Sequence, residues 1–120
     1  MLFVGESPGK GRGVFAKYSI SKGKILEECE VIFLPADEES ILEQTILKNY
    51  LFQWGDGRMS VVLGTGSLYN HSYKPNAQYF MNDETGIVTF EALRDIEEGE
   101  EITVNYNGAP HVTDKVWFDK

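Results

Sequence analysis

Three short segments of this chain carry residue types that could do chemistry together. Asn70-His71-Ser72-Tyr73-Lys74-Pro75-Asn76 sets an amide, an imidazole and a hydroxyl side by side, and Gly99-Glu100-Glu101-Ile102-Thr103-Val104-Asn105-Tyr106 ends on a phenol. Near the N-terminus, Gly11-Arg12-Gly13-Val14-Phe15-Ala16 opens on two glycines. An Asn side chain can accept a hydrogen bond from a cation without adding a charge. Glycines let main-chain amides and carbonyls approach a ligand closely. Each residue also has a purely structural reading. Gly11-Arg12-Gly13 fits a tight turn, Asn70 a local turn bond before Pro75, His71 a satisfied structural histidine, and Tyr106 a core aromatic. No residue is marked by sequence alone as a general base.

Short strands have to position these residues. Gly9, Gly11 and Gly13 mark a bend, and Val14-Phe15-Ala16 reads as the strand that follows. Ser21 to Lys24 is a turn, and Ile25 to Leu34 holds an extended run rich in Ile, Val and Phe that Pro35 ends. A helix is expected from Asp37 to about Leu47. Asp37 would cap it, Glu38 and Glu39 would complement its dipole, and Ile41, Leu42, Thr45 and Ile46 would face the core. Tyr50 to Trp54 and Met59 to Leu63 read as one hairpin, Ala77 to Met81 and Ile87 to Leu93 as a second. Glu101 to Asn105 is a last short strand. Many short strands with one helix predict a compact, mainly β domain. No repeat, low-complexity stretch or linker divides residues 1–120, so one domain is expected.

Composition narrows the chemistry. A net charge of −8 disfavours nucleic acid as a direct partner, since phosphate binding needs clustered Lys and Arg, and suits a basic partner such as a lysine-rich peptide. Acidity of this kind also simply confers solubility. Cys29 is the single cysteine, so no internal disulfide forms. One Cys and two His give no zinc-ligand spacing, and no metal is expected. No apolar run approaches the ~18 residues a transmembrane helix needs, and no targeting signal is evident, so a soluble cytoplasmic protein away from membranes is the expectation. The Gly9-x-Gly11-x-Gly13 spacing is wrong for a dinucleotide site, and Gly23-Lys24 lacks the upstream glycine of a P-loop. Nor is there a Gly-x-Ser-x-Gly elbow.

Taken in order, the three segments resemble the signature segments of SET-domain protein lysine methyltransferases, over about Gly11 to Tyr106. The resemblance implies a β-clip-like fold of small curved sheets, with one or two short helices and the C-terminal segment tucked beneath a loop as a pseudoknot. It implies methyl transfer from S-adenosylmethionine, which becomes S-adenosylhomocysteine, to a lysine amine in a basic protein, a histone being one example. Gly11, Arg12 and Gly13 would lie along the methionine part of the cofactor. The Asn70 side chain and the His71 main chain would take its ammonium end. Tyr106 would stand beside the methyl being transferred, as the catalytic residue. Tyr50 and Tyr79 would wall the lysine channel, and Val104 occupies a position where relatives carry Phe or Tyr. Where many relatives have Cys after Asn-His-Ser, this chain has Tyr73.

Fourteen residues follow Tyr106, and no cysteine-rich zinc knuckle is expected in so short a tail. Trp117 and Phe118 in that tail, 107–120, would fold back over the cofactor's adenine, or the tail frays. The short stretch from Glu28 to Asn70 leaves a groove that is partly open or completed by another chain. Two other readings stay open. A SET-like domain that is catalytically silent would serve as a protein-interaction module, and an unrelated small β interaction domain would make the ordered motifs coincidental. Substrate, methyl number and oligomeric state lie beyond the sequence.

Overall fold

The computed structural model describes residues 1–107. It is mainly β, with several small sheets and one short α-helix among the described residues. In chain order the strands are β1 (Leu2–Ser7), β2 (Gly11–Ala16), β3 (Ile25–Cys29), β4 (Val31–Phe33), β5 (Leu51–Gln53), β6 (Met59–Val62), β7 (Asn70–His71), β8 (Ala77–Asn82), β9 (Ile87–Ala92) and β10 (Glu101–Val104). One sheet has the order β1-β2-β10-β7, and two three-stranded sheets have the orders β3-β9-β8 and β4-β6-β5.

The two hairpins form where the strand-turn-strand segments predict them. β5 pairs with β6 and β8 with β9, both antiparallel. Along β9 buried residues alternate with partly exposed ones, placing Val88, Phe90 and Ala92 in the core. The first sheet is assembled from distant segments. β10 pairs antiparallel with β2 and parallel with β7, so the last strand of the described chain lies between two earlier ones. Asn76, only 2% exposed, fastens this crossing. Its Oδ1 accepts from the Thr103 amide at 2.8 Å, and its Nδ2 donates to the Glu101 carbonyl at 2.8 Å. With these bonds made, the buried amide offsets its desolvation and holds the 70–76 segment against β10.

Two expectations are corrected. The helix over 37–47 is replaced by a 3-10 turn (Ala36–Glu38), a four-residue α1 (Glu39–Leu42) and a second 3-10 stretch (Ile46–Tyr50). Thr45 breaks it: its backbone is extended, its hydroxyl donates to the Leu42 carbonyl at 2.7 Å, and the same oxygen accepts from the Leu47 amide at 3.2 Å. The side chain thus competes for bonds that a helix would use. The apolar face does not enter the core either, since Ile41 is 61% and Ile46 71% exposed. Without a buried face, so short a helix has little to extend it. The second correction is at the N-terminus, where β1 forms and β2 starts at Gly11 rather than Val14. Pairing with β1 along the whole strand outweighs the low strand preference of its glycines.

Candidate active site

All three signature segments meet in the four-stranded sheet. β2 carries Gly11, Arg12 and Gly13, β7 is Asn70–His71, and β10 leads into Tyr106. Parallel pairing sets Thr103 beside Asn70 and Val104 beside His71. The Asn70 Nδ2 donates to the Arg12 carbonyl at 3.0 Å and to the Glu101 carboxylate at 2.8 Å. Those bonds use both amide protons and leave Oδ1 as the acceptor. Glu101 also accepts from the Ser7 hydroxyl at 2.8 Å, tying β1 into the same knot. Gly13 sits beneath this cluster. A Cβ there would stand 2.8 Å from the Asn70 Nδ2 and would overlap the Glu101 carboxylate, so only glycine allows the approach. Gly11 has φ +79° and open space where a Cβ would go, so here the backbone conformation, not crowding, favours glycine.

Tyr106 is anchored at two points. Its amide donates to the His71 Nδ1 at 3.0 Å, and its hydroxyl donates to the Tyr69 carbonyl at 2.6 Å. The His71 ring lies 5.2 Å from the Tyr106 ring and 4.3 Å, edge-on, from Tyr73. Tyr106 opens onto a cavity of about 710 Å³ whose walls include Tyr50, Phe52, Tyr69 and Tyr79. Tyr79 is held edge-to-face on Phe52 at 5.2 Å. Burial pushes the Tyr79 hydroxyl pKa up to about 12. Burial first, then the nearby Tyr50, Tyr79 and Glu101, pushes Tyr106 up to about 12 as well. Both phenols are therefore neutral donors near pH 7, not bases. An aromatic wall of this kind suits an alkyl stem that ends in an amine.

The structure thus brings Tyr50, Tyr79 and Tyr106 to one cavity, and Gly11, Arg12, Gly13, Asn70 and His71 to the adjoining sheet. Val104 does not reach the cavity wall. It is fully buried in the core, and its carbonyl accepts from the Ser72 amide at 2.9 Å. Trp117 and Phe118 lie outside the described residues. Sequence reasoning missed Tyr69, whose carbonyl fixes the Tyr106 hydroxyl, and Glu101, whose carboxylate orients Asn70. Glu101 sat inside the third segment and was available as a signal, whereas a main-chain acceptor such as that of Tyr69 leaves none. Among the described residues no group of His, Cys, Asp and Glu side chains is placed to hold a metal ion.

Comparison with known proteins agrees with this geometry. A family profile described as SET domain matches residues 11–107. The chain is 29% identical over 119 residues to a Schizosaccharomyces pombe histone-lysine N-methyltransferase specific for H3 lysine-37, covering 98% of this chain and 77% of that protein. It is 31% identical over 126 residues to histone-lysine N-methyltransferase set5 of the same organism, covering 82% of this chain but only 40% of that protein. A Plasmodium falciparum structure, described as a candidate histone methyltransferase, superposes with a TM-score of 0.71 at 30% identity, over 91% of this chain and 99% of that one. The Chaetomium thermophilum Polycomb Repressive Complex 2 gives 0.75 at 23% identity over 92% of this chain and 15% of that one, a likeness in fold alone. The profile takes in all three segments that the four-stranded sheet unites, and the chain belongs to the SET-domain protein lysine methyltransferase family.

Proposed function

We propose that this protein transfers a methyl group from S-adenosylmethionine to the side-chain amine of a lysine in a basic protein, a histone being one such substrate. The observation that carries this reading is the Tyr106 hydroxyl, fixed at 2.6 Å on the Tyr69 carbonyl at the wall of an aromatic cavity. Membership of a family that uses S-adenosylmethionine supports it, as does the activity named for both yeast relatives.

The residues present suit that cofactor. Gly13 lets the Asn70 amide and the Glu101 carboxylate close onto β2 where any Cβ would clash, and the Asn70 Oδ1 is an uncharged acceptor for an ammonium. Gly11, Arg12, Gly13, Asn70 and His71 are the residues that would hold it. When bound, it supplies an electrophilic methyl on a positively charged sulfur. The protein's own task is then to present a neutral amine in line. A free lysine has a pKa of about 10.4, which an apolar aromatic wall and a nearby positive charge both lower. Tyr50 and Tyr79 flank the lysine stem, and the neutral Tyr106 hydroxyl orients the amine without adding charge. Positioning carries most of the rate. The charge of −8 draws basic substrates toward the site.

Calorimetry with S-adenosylmethionine, followed by labelled-methyl transfer to a panel of basic proteins, tests the proposal. Binding with label appearing on lysine is expected. Binding without transfer would instead identify a silent module.

A further inference from the structure

Glu27 lies on β3, in a different sheet from the strand that delivers Tyr106, and outside all three signature segments. Its Oε1 accepts from the Tyr69 hydroxyl at 2.7 Å and also from the Thr65 hydroxyl. The other carboxylate oxygen packs against Gly64, where an added Cβ would stand 3.2 Å away. Tyr69 itself is 1% exposed, its ring stacked on Phe90 at 4.4 Å. The carbonyl of this same residue receives the Tyr106 hydroxyl. Tyr69 is therefore held at both ends, by Glu27 at the ring and by Tyr106 at the main chain.

We infer that Glu27 is a positioning residue for Tyr106, acting through Tyr69. The inference rests on the proposed role of Tyr106. The physical argument is one of buried polar satisfaction. With Glu27 gone, the buried Tyr69 hydroxyl trades a carboxylate acceptor for the neutral Thr65 hydroxyl beside it, and the ring moves to follow the weaker partner. Ring and carbonyl belong to one residue, so a shift of the ring against Phe90 passes through the side chain into the Tyr69 peptide unit. The Tyr106 hydroxyl then loses the acceptor that fixes its direction. Small displacements of a positioning group cost rate steeply.

Kinetics of Glu27→Ala and of the isosteric Glu27→Gln separate this role from general support of the core. Glu27→Ala is expected to lower kcat roughly tenfold, as misplacement of a catalytic group does, with the cofactor Kd unchanged. Glu27→Gln keeps an oxygen that accepts from Tyr69, and recovers most of the rate. In a Tyr106→Phe background Glu27→Ala adds no further loss, because the hydroxyl it positions is already absent. Tyr69→Phe removes the hydroxyl together with the bond and leaves nothing on the ring to seek a new partner, so it retains more of the rate than Glu27→Ala; Glu27→Val serves if Glu27→Ala does not fold. NMR of ring-labelled tyrosines gives a readout independent of turnover: Glu27→Ala shifts the Tyr106 signal and Glu27→Gln leaves it in place. A loss that adds fully to that of Tyr106→Phe, or an unmoved Tyr106 signal, overturns the inference. A shifted signal in a wild-type background without transferase activity upholds the coupling and overturns the catalytic reading instead.

Discussion

Replacing Tyr106 by Phe removes one oxygen and leaves the ring where it is. The ring's contact with His71 at 5.2 Å and the amide bond to the His71 Nδ1 do not involve the hydroxyl, so cavity and sheet should persist. What is lost is the 2.6 Å bond to the Tyr69 carbonyl, and with it the hydroxyl of a residue that lines the cavity. For stability, one neutral hydrogen bond contributes about 0.5–1.5 kcal/mol, so the variant should melt only a few degrees lower. For catalysis, removing a single preorganised hydrogen-bonding group typically costs on the order of 10²-fold or more, about 2.7 kcal/mol in barrier. Single-turnover methyl transfer from labelled S-adenosylmethionine, with calorimetric cofactor binding alongside, reads both quantities. The expected result is a rate down by about two orders of magnitude with cofactor affinity nearly unchanged. Turnover close to wild type would refute the role given to Tyr106. A parallel loss of cofactor affinity would mean that the substitution acts through the fold.

Asn70→Ala deletes the acceptor proposed for a cofactor ammonium; since bonds to charged groups contribute roughly 1.5–3 kcal/mol, calorimetry should show Kd rising about tenfold or more in a folded variant. Tyr79→Phe should shift a methylated peptide toward higher methylation without abolishing activity, because the hydroxyl that hinders rotation of a methylated amine is gone. An unchanged product distribution by mass spectrometry would reduce Tyr79 to packing against Phe52. Tyr79 and Tyr106 titrate near 12 in the folded chain against about 10 for free tyrosine, so the folded state holds their protons more tightly. Their contribution to stability is therefore complete below about pH 10 and is lost as the pH rises toward 12, which denaturant melts at stepped pH would show.

Local pattern carried the parts of the fold that local pattern can carry. The hairpins around Gly57 and Gly86 announce themselves because runs of aromatic and branched residues flank a polar, glycine-containing turn. The segment around Thr45 misled for a physical reason, since helical spacing of Ile41, Leu42 and Ile46 says nothing of whether a buried partner exists. β1 was missed because Phe3 and Val4 remain more than 40% exposed on an edge strand, and their apolar character reads equally well as an untidy terminus. The parallel pairing of β7 with β10 joins positions over thirty residues apart and has no signature in either strand alone. Only resemblance to a family brought those segments together in advance. Polar bonds over such distances were likewise silent: Tyr69 to Glu27 spans 42 residues, and Asn70 to Glu101 spans 31. Residues whose chemistry sits in their type, such as Asn70 and Tyr106, were legible. Those that act through a partner or a main-chain carbonyl were not.

The most direct test of the central claim is residue-resolved methyl transfer by the wild-type protein. Labelled S-adenosylmethionine is supplied with a histone mixture and with an acidic protein as control, and the products are mapped by mass spectrometry. The account predicts label on lysine side chains of the basic substrate, little on the control, and about a hundredfold less once Tyr106 is replaced by Phe within the same reaction time. A protein that binds the cofactor yet leaves every lysine unmodified, or one whose Tyr106→Phe variant labels lysine as fast as wild type, would contradict it.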